Sequence, residues 1–134
     1  MIKTNIEILS IDHIVLIVAN PAETCAFYQE VLGLLPVQDS QGRWSLKFGQ
    51  NKISLQIQGK VPEIARRTIR GSGNFCLITD TPIEEVIAHL NACSVKIVAG
   101  PSKKEGGLGP LMSIYFYDID GNLVEISNRL SVDE

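Results

Sequence analysis

Six residues of this chain combine a reactive type with a position from which they could act. His13 stands in a run of Ile and Val, and an imidazole within a β run needs a partner. A divalent ion would satisfy it, and so would a backbone hydrogen bond. Glu125 alternates with Ser127 on one side of an extended stretch while Val124 and Ile126 take the other, so its carboxylate can ligate, move a proton, pair with an Arg or face solvent. Gln56 shares a polar side with Ser54 and Gln58; its amide oxygen can reach a hard cation, a substrate or water, but brings no charge. Tyr115, on the side of Ser113 and Tyr117, could donate to an oxyanion or simply anchor the sheet. Arg43 and Lys47, alternating with Trp44, Leu46 and Phe48, could read a carboxylate or phosphate, or be solvated.

Two stretches position these groups, IDHIVLIVANP from Ile11 to Pro21 and SGNFCLITDTP from Ser72 to Pro82. They read as one unit used twice. A shift of about 61 positions carries His13 to Asn74, Asn20 to Thr81, Pro21 to Pro82 and Glu23 to Glu84. The first unit predicts a strand from Ile11, then a helix starting at Pro21 with Asn20 as N-cap and Glu23 placed for a capping box. Phe27, Val31 and Leu32 give that helix its apolar stripe, and Gly33 ends it. Three extended segments follow, near 35–39, 43–48 and 52–58. Module one thus spans about 11–58, a linker 59–73, and module two about 74–128, within a single domain over 1–134. In module two the pattern predicts strand 74–79, a helix from Pro82 to about Ala92, strand 95–98, a long loop 100–110, strand 111–117, a turn at 118–121 and strand 122–127. The glycines of 103–109 lack the spacing and the Lys-Ser/Thr end of a phosphate loop. Arg66, Arg67 and Arg70 read as a solvated linker face.

Composition narrows the partners. A net charge of −3 gives no global attraction to nucleic acid or anionic lipid. The apolar run Ile14 to Ala19 is far shorter than the ~20 residues of a membrane span, and Asn5 and Glu7 interrupt any export signal, so the expectation is cytoplasmic, without nucleic acid or membrane. Cys25, Cys76 and Cys93 are odd in number and form no CxxC, as expected of reduced cysteines.

Two βαβββ units in tandem resemble the vicinal oxygen chelate superfamily, which includes glyoxalase I, fosfomycin-resistance proteins, extradiol dioxygenases and bleomycin-binding proteins. The resemblance runs from Ile11 to Asn128 and rests on DHIVLIV, on FYQEVLGL from Phe27 to Leu34, and most specifically on IYFYDIDGNLVEIS from Ile114 to Ser127. FCLITDTPIEEVIAHL and GPLMSIYF look like the small glyoxalase-domain proteins labelled dioxygenase-like or virulence-associated. The implied fold is α+β, two modules forming a cupped mixed sheet with helices on the convex face. The implied cofactor is a divalent metal ion (Ni, Zn, Mn, Co, Mg or Fe) held by His13 and Gln56 from the first half and Asn74 and Glu125 from the second.

Position 74 is His in many relatives, and the Asn here departs from them. By analogy with glyoxalase I, Glu125 would be the base, with Tyr115 on the oxyanion and Arg43 and Lys47 toward substrate, while Gln56 cannot accept a proton. The implied activity is a metal-dependent glyoxalase-type lyase or isomerase on a small molecule with vicinal oxygens. One alternative is a metal-free protein binding an antibiotic-like molecule. The other is an extradiol dioxygenase, which needs two His and a carboxylate where this chain has only His13 and His89. The resemblance further implies a homodimer, with the 103–109 segment as a lid.

Overall fold

The computed structural model describes residues 3–60 and 65–131. Part of the expected linker, 61–64 with Pro62, lies outside the described residues. The first module runs β1 (His13–Val18), α1 (Pro21–Leu32), β2 (Leu35–Gln38), β3 (Trp44–Phe48) and β4 (Asn51–Ile57). The second runs β5 (Asn74–Ile78), α2 (Ile83–Ala92), β6 (Ile97–Gly106), β7 (Gly109–Tyr117) and β8 (Leu123–Arg129). Each makes its own four-stranded sheet, ordered β1-β4-β3-β2 and β5-β8-β7-β6, with the first and last strands parallel and the other pairs antiparallel. The architecture is α+β, as the tandem repeat implies.

The two helix starts differ although their sequences match. Asn20 caps α1 by accepting from the backbone N–H groups of Ala22 (3.0 Å) and Glu23 (3.2 Å), with Pro21 in the first turn. Gly33, at φ 68°, closes the helix by donating to the Gln29 carbonyl, as expected for a left-handed cap. In α2 no neighbouring side chain caps the helix, and Pro82 sits just outside it. Asn128 of β8 does this instead. Its Oδ1 accepts from Ile83 N (2.8 Å) while its Nδ2 donates to the Thr79 and Thr81 carbonyls, both at 2.8 Å.

The expected loop over 100–110 is a hairpin. β6 runs on to Gly106 and pairs with β7 from Ser102–Ser113 down to Gly106–Gly109, with Gly107 and Leu108 at the tip. Register shifts around Ala99 and Ser102 absorb the Gly100-Pro101 interruption. A Cβ on Gly100, whose φ is 88°, would lie 2.4 Å from the Ser113 carbonyl oxygen, so only glycine lets the strands approach there. The lid expected over 103–109 is therefore paired backbone for most of its length.

The apolar faces of both sheets and the inner sides of both helices share one core, in which Leu16, Tyr28, Leu46 and Ile53 meet Ile83, Leu90, Phe116 and Val124. Helix α1 is the bridge. Its Phe27 ring lies edge-on to Tyr28 at 5.4 Å and 6.4 Å from Phe116 of β7.

A buried polar clasp reinforces that bridge. Asp118 accepts from Tyr28 Oη (2.6 Å), Asn122 Nδ2 (2.9 Å) and the backbone N–H groups of Asp120 and Asn122. Burial first, then the Asp118 charge, push the Tyr28 hydroxyl far above its ordinary pKa, so it acts only as a neutral donor. Asp120 accepts from Ala19 N (3.0 Å), Thr24 Oγ1 (3.1 Å) and Arg70 Nε (2.8 Å). Its side chain is 2% exposed. Arg70 is thus not a free linker cation: the buried carboxylate, which needs a counter-charge, ties it to module two. Arg66 and Arg67 are exposed, as expected.

Candidate functional site

Strand alternation leaves each sheet one face turned away from the shared core, and the expected site residues are divided between these two faces. On the first sheet the ladder pairs His13 with Lys52, Val15 with Ser54 and Ile17 with Gln56, and Lys47 of β3 lies opposite Lys52. On the second it pairs Asn74 with Leu123, Cys76 with Glu125 and Ile78 with Ser127, and Tyr115 of β7 lies opposite Glu125. Residues matched in a ladder share a face. His13, Lys47 and Gln56 therefore belong to one outward surface, and Asn74, Tyr115 and Glu125 to the other.

His13 is not a core histidine. As the first residue of β1, with its side chain 43% exposed, it places Nδ1 2.8 Å from Asp12 Oδ2. That bond, and then the imidazole's charge, hold the Asp12 carboxyl below its ordinary pKa. Gln56 stands about 13 Å further along the strand pair (four residues, Lys52 to Gln56, at ~3.3 Å each). It lines a small cleft with Ile17, Arg67, Thr68 and Ser72, where the linker crosses the far end of this face. Arg43, largely exposed, pairs through Nε with Asp39 Oδ2 at 2.9 Å.

Laying the two ladders on one another through His13 and Asn74 makes Ser54 the counterpart of Glu125. Gln56 becomes the counterpart of Ser127. The sequence shows the alternation but not this offset, because the spacing between first and last strand differs in the two halves. Lys52 was legible as the next member of the Ser54–Gln56 face; that it lies directly beside Lys47 was not. Two like charges opposite each other in an antiparallel pair repel, and a bound anion would relieve them.

The second face holds a continuous polar cluster. Ser127 Oγ donates to Glu125 Oε2 at 3.2 Å and lies 2.6 Å from Ser113 Oγ and 3.3 Å from Cys76 Sγ. Ser113 and Ser127 are fully buried, so they fix the Glu125 carboxylate from beneath. Desolvation, followed by the charge and hydrogen bonding of Glu125, raises the Tyr115 hydroxyl pKa, which keeps it a proton donor. Lys104 Nζ sits 6.0 Å from the centre of the Tyr115 ring. Burial foremost raises the Cys76 pKa, and the nearby carboxylate adds to it, so this thiol is not an activated nucleophile.

The family model for the Glyoxalase/Bleomycin resistance protein/Dioxygenase superfamily matches residues 10–126. The chain belongs to this superfamily. It is 44% identical over 118 residues to virulence protein STM3117 of Salmonella typhimurium, covering 87% of this chain and 82% of that one. The crystal structure of that relative superposes with a TM-score of 0.90 at 42% identity, over 93% of this chain and all of the other. A glyoxalase domain-containing protein, RDO1, of Mycosarcoma maydis is 36% identical over 127 residues, 94% of this chain and 72% of its own length. Lactoylglutathione lyase from Agrobacterium tumefaciens, at 24% identity and TM-score 0.67 over 89% of this chain and 92% of its own, shares the fold.

Members of this superfamily often bind divalent metals. Among the described residues of one chain, no group of three His, Cys, Asp or Glu side chains could hold one. Of the four expected ligands only His13 and Glu125 carry an imidazole or carboxylate, and they stand on different sheets. Among the described residues, a single chain does not gather these donors around an ion.

Proposed function

We propose that the protein is a glyoxalase-type lyase or isomerase for a small molecule bearing vicinal oxygens and an anionic end. The observation that carries this reading is the Tyr115–Glu125 pair, an unionised hydroxyl in register with a carboxylate that Ser127 orients. Glu125 takes the proton from a carbon beside a carbonyl, and the Tyr115 hydroxyl holds the oxygen on which charge develops. Lys47 and Lys52 read the anionic end. Because these groups lie on separate outward faces, two copies of the chain assemble so that the first sheet of one completes the second sheet of the other. A divalent ion, if one is used, would be shared in the same way by His13 of one copy and Glu125 of the other.

The donor set also favours a second reading, in which the same faces bind an anionic small molecule without turning it over. Ring cleavage fits less well, because His89 lies on α2, 3.2 Å from the Glu30 carbonyl of α1, and belongs to neither outward face.

The test is hydrogen–deuterium exchange at the α-carbon of small hydroxycarbonyl acids, followed by proton NMR in deuterated buffer. Exchange that falls by about 10²-fold or more in Glu125→Gln is expected. Saturable binding with no exchange would replace catalysis by sequestration. Exchange untouched by both Glu125→Gln and Tyr115→Phe would end the proposal.

A further inference from the structure

The segment from residue 3 to 12 carries no helix or strand, and its large apolar side chains are exposed one after another. Ile6, Ile8, Leu9 and Ile11 are 74%, 81%, 86% and 71% exposed. Among the described residues, its base is tied down by Asn51 Nδ2 donating to the carbonyls of Ile11 (2.7 Å) and Asp12 (3.2 Å). Beside that base lies an open cavity of about 490 Å³ between the two sheets, its apolar wall made by Ile14, Phe48, Phe75 and Leu77 with Cys76 at its rim, and bordered also by Ser10 and Ile11 of the segment itself and by His13 and Lys52. Several of these wall residues are only partly buried although they border the core. The molecule thus shows an arm whose Ile6, Ile8 and Leu9 are uncovered, rooted at the edge of an open cavity with an apolar wall.

We infer that the arm of one copy docks in the inter-sheet cavity of a second copy of this chain, an arm exchange that holds the two-copy assembly together. The inference rests on the two-copy reading given above. Length permits it, since the nine steps from Lys3 to Asp12 at ~3.3 Å span on the order of 30 Å. Area supports it too. Four aliphatic side chains hide roughly 250–500 Å² per arm, so two arms and two matching beds approach the ~1,200–2,000 Å² of a specific interface. A membrane is a poorer occupant, because Lys3 is the one basic residue of a segment that also holds Glu7.

The test starts with sedimentation of the full chain and of the Ile6→Asp/Ile8→Asp variant, whose exposed positions leave the core intact. The unsubstituted chain should sediment as a dimer and the variant as a monomer, at a protein concentration of about 10 µM. A variant that remains dimeric overturns the arm exchange while sparing the two-copy reading; an unsubstituted chain that is monomeric overturns both. The second arm is oxidative cross-linking of Leu9→Cys to the native Cys76. A covalent dimer that disappears in Leu9→Cys/Cys76→Ser supports the exchange. A disulfide formed within one chain, or none in a protein that stays dimeric, refutes it.

Discussion

The two modules share one ladder and present opposite chemistry. Module one sets His13, Lys52 and Lys47 in a row on its outward face, with Asp12 at the end. Module two places Leu123, Glu125 and Ser127 along the corresponding strand, with Tyr115 beside the carboxylate. The difference teaches that duplication kept what the backbone needs, the parallel first and last strands and the helix between them. The side chains that face away from the core were free to diverge, to lysines on the first sheet and to a carboxylate beside a tyrosine on the second. The halves are joined by their shared core and by the clasp of Tyr28, Asp118, Asp120 and Arg70, which has no duplicate in module one among the described residues.

Cutting the clasp should have the largest effect. Asp118→Ala leaves the buried Tyr28 hydroxyl and Asn122 amide without their acceptor and should cost about 3–5 kcal/mol in urea unfolding. Tyr28→Phe, which removes one donor but leaves Asp118 its other partners, should cost about 1–2 kcal/mol. No loss in Tyr28→Phe would show that Asp118 does not join the modules.

A functional contrast between matched positions comes next. If the halves have divided their chemistry, Glu125→Gln should slow α-carbon exchange by about 10²-fold or more, and Ser54→Ala, at the counterpart position, by less than about threefold. Similar losses at both would dissolve the distinction.

The lysine pair offers a smaller, signed effect. Replacing Lys52 by Ala removes repulsion with Lys47 and should raise unfolding stability by about 0.2–1 kcal/mol while weakening oxalate binding, measured by calorimetry. Tighter oxalate binding would remove the anion-reading role. The smallest effect concerns Arg43. Its backbone N–H is the first cause, ahead of its side chain, of the depressed Asp39 pKa. A depressed carboxylate stabilises the fold above its ordinary pKa, and that contribution fades as the pH falls through the lowered value. Arg43→Ala should therefore raise the Asp39 midpoint only part of the way in an NMR titration; full recovery would mean that the guanidinium does the holding.

The alternation of Trp44, Leu46 and Phe48, and of Ile53 and Leu55, was readable without coordinates because a strand's period of two sorts its side chains between core and surface. The cap at Asn20, the stop at Gly33 and the repeated βαβββ order were readable for the same local reasons. The continuous hairpin was hidden because Gly and Pro near its start and tip signal a loop, whereas register shifts let the strands pass them. His13 looked interior because its neighbours are aliphatic, yet one position at a strand's edge was enough to bring it to the surface beside Asp12.

By itself the sequence determined the elements other than the 100–110 hairpin, together with their duplication and the motifs of the superfamily, since each depends on residues a few positions apart. The tertiary structure alone decided that Ser54 answers to Glu125, that Lys47 meets Lys52, that Arg70 is bound to Asp120, and that both polar faces turn away from a common core. Those facts depend on the register and orientation of segments remote in the chain, where a shift of one residue reverses a strand's faces and no local preference records which register won.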